Sequence, residues 1–187
     1  MPRRIAIIEG HPDPDPAHLN YALGAAYESG AKAGGHEVRR IRVSELDFTV
    51  LRTRAEWDGT PAPGIAAAQD AIKWADHLVI LFPLWLGGMP ALLKAFFEQV
   101  LRPGFATANG KKLLKGRSAR LVITMGMPAV AFRWYYFSHG VKSLERSILA
   151  FCGIGPISES MLGGVEGSPA KRVKWLEEMT ELGRAGK

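Results

Sequence analysis

The run that follows Asp76, HLVILF, is aliphatic almost throughout and too short for an ordinary helix. A strand of this kind reads as buried on both faces, which places it inside a parallel sheet covered on each side by helices. It leads directly into Phe82 to Pro90, FPLWLGGMP. There Pro83, Trp85, Gly87, Gly88 and Pro90 make a rigid turn with one aromatic plate and two residues lacking side chains. Backbone amides in such a turn can approach a flat ligand face-on, because glycine has no β-carbon to hold it away. The next stretch, Pro90-ALLKAFFEQVL, reads as a helix with proline in its first turn.

The rest of the chain repeats strand and helix around that centre. Residues 3–9 form a short aliphatic strand, and Gly10-HPDPDPAHLN is the loop after it, held extended by Pro12, Pro14 and Pro16. A helix follows over about 17–32, with Leu19, Leu23, Ala26 and Tyr27 on one face and Gly34-Gly35 at its end. Residues 36–43 alternate polar and apolar, as a half-buried strand near a sheet edge does. Residues 47–63 read as a surface excursion, 64–75 as a helix and 102–116 as a basic loop. Strands are expected over 119–125 and 154–162, and helices over 141–151 and 168–184, the last opened by Ser168-Pro169. The aromatic stretch 129–139, AVAFRWYYFSH, fits no simple period.

Five strands alternating with helices define an α/β three-layer sandwich around a five-stranded parallel sheet. Right-handed crossovers leave the flavodoxin-like order 2-1-3-4-5 as the expected topology, and residues 1–187 are read as a single domain. In that order the switch point lies between strands 1 and 3, so a ligand belongs at their carboxyl ends. The two loops richest in proline, glycine and aromatic residues follow those two strands.

Composition narrows the class. Of 187 residues, 47% are hydrophobic and 22% charged, as in ordinary globular proteins. No apolar run approaches the ~20 residues that span a bilayer, so no stable membrane insertion is expected. A single cysteine, Cys152, excludes an intrachain disulfide and favours a reducing, cytoplasmic setting. The net charge of +6 is concentrated in Lys111, Lys112, Lys115, Arg117 and Arg120. No nucleic-acid-binding signature accompanies that cluster, which reads as a solvated face, and no nucleic-acid partner is expected. The histidines His11, His18, His36, His77 and His139 lack metal-ligand spacing, and Cys152 reads as a core residue.

The loop after strand 1 should hold phosphate, because it opens a helix whose free amides and dipole favour an anion. His11 and His18 can donate there, whereas Asp13 and Asp15 repel phosphate unless they point outward. A proline-stiffened turn with solvated carboxylates is the equal alternative for that loop. The Rossmann and Walker glycine patterns are absent. Pro83, Leu84, Trp85, Leu86 and Gly87 would line one edge and face of a flavin ring. Thr124-MGMP would approach its pyrimidine end, where backbone amides or Thr124 can stabilise negative charge. His139 is the candidate acid for a bound acceptor, since histidine titrates near neutral pH. A helix-capping or structural histidine is the competing reading, and Tyr135 and Tyr136 supply either a hydroxyl, a stacking surface or packing. The helix 91–101 is apolar over much of its circumference, through Leu92, Leu93, Phe96, Phe97, Val100 and Leu101. Such a helix needs two partners, the sheet and a second subunit.

At these residues the chain resembles the NAD(P)H:quinone oxidoreductases of the DT-diaphorase type and their smaller bacterial relatives. The resemblance rests on Gly10-His11 with Asn20-Tyr21-Ala22, on FPLWLGGMPALLKAFFEQV, on TMGMP and on His139-Gly140. It implies a flavodoxin-like homodimer with tightly held FAD or FMN, reducing quinones by two electrons from NAD(P)H in ping-pong fashion. By resemblance His11, Leu19 and Asn20 match the flavin phosphate loop, Pro83 to Gly87 the ring loop, and Thr124, Met125 and Gly126 the pyrimidine-end loop. His139 matches the acceptor-site histidine. The phosphate loop is longer than the family's and has lost its serine. Leu86 and Gly87 replace bulky aromatics. A branch of similar size comprises flavoproteins that regulate potassium-efflux transporters, which gives the alternative of a redox-sensing regulatory subunit.

Overall fold

The computed structural model describes residues 1–187. Five parallel strands form the sheet: β1 Arg4–Glu9, β2 Glu37–Arg42, β3 His77–Pro83, β4 Ser118–Met125 and β5 Ile157–Gly163. Their order is β2-β1-β3-β4-β5, the flavodoxin-like order expected. Five main helices cross between and beside them: α1 Leu19–Ala33, α2 Pro63–Trp74, α3 Ala91–Val100, α4 and α5 Pro169–Arg184. Helix α4 begins as His139–Ser143, widens into π-helical turns over Leu144–Leu149 and ends as Ala150–Cys152.

The period of two in the central strands sorts their side chains between the layers. Ile5, Ile7, Val79, Leu81 and Val122 face one way and pack with Leu23, Tyr27 and Met179 of α1 and α5. Ala6, Ile8, Leu78, Ile80, Phe82, Leu121 and Ile123 face the other way into the larger core under α2, α3 and α4. Helices α1 and α5 meet backbone to backbone. A β-carbon on Gly30 would lie 1.9 Å from Thr180 O, and one on Gly183 would lie 2.1 Å from Tyr27 O.

Several boundaries differ from the sequence reading, each for a local reason. Helix α1 starts at Leu19 rather than about residue 17, after Asp15 has used its carboxylate to bind Ala17 N. The excursion holds a short helix, Arg54–Asp58, capped by Thr53, whose hydroxyl accepts from Glu56 N at 3.2 Å. The basic loop folds a small hairpin, Thr107–Ala108 against Lys111–Lys112, around Asn109-Gly110. Both turn residues are left-handed (φ 48° and 71°), the turn that an Asn-Gly pair encodes. Strand β5 begins only at Ile157, because Pro156 has no N–H for the ladder. The aromatic stretch does contain a helix, Ala129–Trp134, and α4 starts at His139 rather than Val141.

The second cover demanded by the apolar α3 is supplied largely from within the chain. Leu93, Phe96, Phe97 and Val100 are buried. Phe48 from the excursion meets Phe96 edge-on, and Gln99 Nε2 donates to Thr49 O at 2.5 Å. Leu92 and Leu101 stay half-exposed. With Trp57, Ile148 and Phe151, Leu101 borders a groove of about 180 Å³ between α3 and α4.

Candidate functional site

The ladder registers align the carboxyl ends of β1, β3 and β4. Glu9 lies opposite Leu81, and Pro83 opposite Thr124. The loops that leave these strands are then stitched together. Gly10 N donates to Leu81 O at 2.8 Å, and Leu84 N donates to Thr124 O at 2.7 Å.

In the β3 loop, Trp85 and Gly88 exchange both backbone hydrogen bonds, at 2.9 and 3.0 Å. The two residues between them, Leu86 (φ 48°) and Gly87 (φ 79°), are both left-handed, which defines a type I′ turn. Glycine accepts that conformation freely; a leucine does so under strain. Leu86 is fully exposed and Trp85 half-exposed, so the turn offers its apolar side chains to solvent. From across the site, the His139-Gly140 start of α4 docks on the same turn. A β-carbon at Gly140 would fall 2.1 Å from Gly87 O, so only glycine permits the contact.

Leu84, Leu86, Gly87, Met125, Gly126, Met127, Phe132 and Tyr136 line a cavity of about 470 Å³. That size and its apolar lining suit a planar ligand. Beside it, Thr124 Oγ1 donates to Asn20 Oδ1 at 2.9 Å, and both side chains are buried. Asn20 Nδ2 has no partner. A buried amide without a partner costs stability, so it marks a place where a ligand acceptor fits.

The phosphate-loop candidates come together differently from expectation. His11 is buried and stacks on His18 with ring centroids 3.8 Å apart, while the Trp85 ring meets it edge-on with centroids 6.2 Å apart. Burial pushes the His11 pKa below the ordinary histidine value. His18 Nε2 is bonded to the Asp13 carboxylate at 2.9 Å. That bond, helped by the amide of Asp15, holds the Asp13 pKa below the usual carboxylate range. Asp13 is therefore tied to His18 while its carboxylate stays exposed to solvent. No side chain caps α1, whose first amides stay available for an anion.

The expected acceptor-side residues are divided. Tyr136 lines the cavity, whereas Tyr135 and His139 lie outside its lining and are exposed. Just before His139, Phe137 (φ 52°) and Ser138 (φ 51°) are consecutive left-handed residues, and the Ser138 hydroxyl is buried without a partner. Strain of this kind is held only where the surrounding structure fixes it.

Sequence reasoning placed Met127 in the Thr124-MGMP loop but missed Phe132 as a lining residue. It also missed Glu9, fully buried at the end of β1 and paired with Arg40 and with Arg42 (3.3 Å). A β-carbon on Gly24 would meet the Glu9 carboxylate at 2.7 Å. The signal was legible in principle: Glu9, Arg40 and Arg42 share a sheet face once β1 and β2 are set parallel in register.

This topology, with open loops at the carboxyl ends of β1, β3 and β4, defines a flavodoxin-like protein built to hold a flat ligand at its switch point. A family model of flavodoxin-like fold, Flavodoxin_2, matches residues 3–182, and the chain belongs to that family. It is 27% identical over 206 residues to NAD(P)H dehydrogenase [quinone] 1 of Rattus norvegicus, across 94% of this chain and 74% of that one. It is 36% identical over 104 residues to FMN-dependent NADH:quinone oxidoreductase 2 of Listeria innocua, across 54% of this chain and 49% of that one. Its fold matches that of an NAD(P)H:quinone oxidoreductase from Methanothermobacter marburgensis with TM-score 0.83 and 19% identity, over 98% and 96% of the two chains. The family resemblance read from the motifs is thereby borne out.

Proposed function

We propose that this protein is a flavin-dependent NAD(P)H oxidoreductase that reduces quinones or similar acceptors by two electrons. The observation that carries the reading is the unpartnered Asn20 Nδ2, buried beside an apolar cavity at the switch point of a quinone-oxidoreductase-like fold. FAD or FMN bound there would supply the redox chemistry, taking hydride from NAD(P)H and passing it to the acceptor.

The chain's own residues have assigned tasks in this reading. His11, His18, Leu19 and the first amides of α1 hold the flavin phosphate. Pro83, Leu84, Trp85, Leu86 and Gly87 lie along the ring; β-carbons at Gly87 or Gly88 would meet nothing within 4 Å, so the turn leaves space. Asn20 donates to the ring's pyrimidine end, with Thr124 fixing its rotamer. The backbone N–H groups of Met125 and Gly126 stabilise negative charge at that end. Tyr136, with Tyr135 beside it, borders the acceptor position (ring centroids 4.9 Å apart). His139, exposed outside the cavity lining next to Gly140, is the acid proposed for the reduced acceptor.

A homodimer built on the α3 side completes the reading. The groove beside α3, with exposed Phe151 and half-exposed Leu101, is apolar surface that a second copy would cover. No helix is long and apolar enough to cross a membrane. The proposed setting is cytoplasmic.

One cavity that serves donor and acceptor in turn predicts ping-pong kinetics. Steady-state rates measured with NADH or NADPH against menadione should give parallel double-reciprocal lines. Intersecting lines would overturn the shared-cavity mechanism. Absence of turnover by flavin-loaded protein with every quinone tried would overturn the enzyme reading and favour a redox-sensing regulatory protein.

A further inference from the structure

We propose that Arg102, at the carboxyl end of α3, anchors a second binding site, built for an aromatic monocarboxylate and separate from the flavin cavity.

Arg102 keeps only 7% of its surface exposed. Its Nη1 donates to Gly59 O at 2.8 Å and its Nη2 donates to Gln99 Oε1, which ties the excursion to the last turn of α3. A guanidinium carries five N–H donors. These contacts use two of them, and Nε is enclosed without a partner. No carboxylate pairs with the charge, although arginine is almost never buried unpaired. The open carbonyls at the end of α3 offset roughly half a charge at most. Tethering the excursion requires only donors, which a neutral glutamine amide would supply. A buried positive charge is left over, and it calls for an anion.

The surroundings set the class of that anion. Arg102 lines a cavity of about 340 Å³ with Trp57, Asp58, Gln69 and Phe105. Asp58 is the one other charged residue in the lining, and Arg54 takes its carboxylate at 2.6 Å. One positive charge therefore remains to be balanced, which suits a monoanion better than a phosphate dianion. The planar fork of the guanidinium matches a carboxylate. Trp57 and Phe105, both half-buried, supply flat apolar walls for an aromatic body. No residue lines both this cavity and the one between the β3 and β4 loops, so a ligand here leaves the flavin free to bind.

The test uses 2-naphthoate, with 2-naphthamide as its neutral counterpart, titrated into the isotopically labelled protein by calorimetry and NMR, without FAD and with an excess of it. We expect saturable binding that shifts the Trp57 indole N–H and the amides of Gly59 and Gly104, with one affinity in both conditions. 2-Naphthamide should bind about tenfold more weakly or worse, the worth of one charge-assisted hydrogen bond. Arg102→Gln, which keeps a donor for Gly59 O, should weaken 2-naphthoate about tenfold or more and leave 2-naphthamide within about twofold. Should Arg102→Gln fail to fold, Trp57→Ala, at a half-buried position of the short helix, should weaken both probes about three- to tenfold. Equal binding of acid and amide, undiminished naphthoate binding by Arg102→Gln, or displacement of bound naphthoate by an equal concentration of inorganic phosphate overturns the proposal. So does competition between naphthoate and FAD, which would put the probe in the flavin cavity, or no binding at millimolar probe.

Discussion

At the amino end of the sheet, Arg3 reaches Ser118 Oγ at 2.7 Å and Gly186 O at 2.6 Å, and Ser118 Oγ also meets His77 Nδ1 at 2.8 Å. Arg4 closes on the Asp76 carboxylate at 2.8 Å, and Tyr27 and Arg120 both donate to Lys187 O. At the carboxyl end, the Asn20 amide and the Ser138 hydroxyl are buried without partners. There, too, Leu86, Phe137 and Ser138 hold left-handed backbone, and Trp85, Trp134, Tyr135 and Phe137 face solvent. One end satisfies its polar groups from within the chain and serves stability. The other leaves them open, which is what a site awaiting a ligand requires. The amino end has one exception, His77 Nε2, buried with no partner.

That exception gives the largest expected effect. Burial, with Arg3 and Arg120 nearby, lowers the His77 pKa to about 3. Between about pH 6.5 and 3 the unfolded chain binds a proton that the folded chain does not, so stability falls as pH falls through that window. Denaturant titrations at pH 7 and pH 4 should differ by about 3 kcal/mol from this group alone. His77→Gln should remove most of that acid loss without altering flavin binding. An unchanged acid limb would mean that His77 is protonated in the folded protein.

A smaller cost is expected where α1 meets α5, away from both ends. Gly183→Ala forces a β-carbon against Tyr27 O and should destabilise by about 1–3 kcal/mol in thermal melts, again with flavin affinity intact. At the carboxyl end the balance should reverse. Replacing the pair together, Asn20→Leu with Thr124→Val, removes one hydrogen bond and one orphan donor, and should leave stability within about 1 kcal/mol. Flavin affinity should nevertheless fall by roughly tenfold or more, the worth of about one buried hydrogen bond. A double variant that keeps its flavin would break the comparison. The smallest effect is expected at Leu86, where glycine relieves the left-handed strain. Leu86→Gly should shift stability by no more than about 1 kcal/mol, since relief is offset by greater freedom in the unfolded chain.

Much of the fold was legible because the central strands are aliphatic on both faces and their breaks are marked by Gly34-Gly35, Gly87-Gly88 and Ser168-Pro169. Topology followed from strand count and crossover handedness. The reading failed where neighbours decide the outcome. The cover of α3 by Phe48 and Thr49 depends on where a loop of no clear period comes to rest. The Asn109-Gly110 dipeptide encodes its hairpin, yet the flanking strands of two residues each are too short to show a period. In the site, the loops rich in glycine, proline and aromatics were readable, since their composition reports backbone geometry. The pairing of Asp13 with His18 was not, because proline spacing says nothing about which side chain captures His18. Nor was the split between Tyr136, which lines the cavity, and Tyr135, which does not: no period orders that aromatic run.

The most direct test of the two-ended account is to add FAD to isotopically labelled, flavin-stripped protein and follow amide resonances by NMR. The account predicts large shifts for the Asn20 side-chain amide and for the backbone amides of Gly10, Trp85 and Gly126, with those of Arg4, His77 and Ser118 unmoved. Shifts confined to the amino end, or an Asn20 side chain indifferent to saturating flavin, would contradict it.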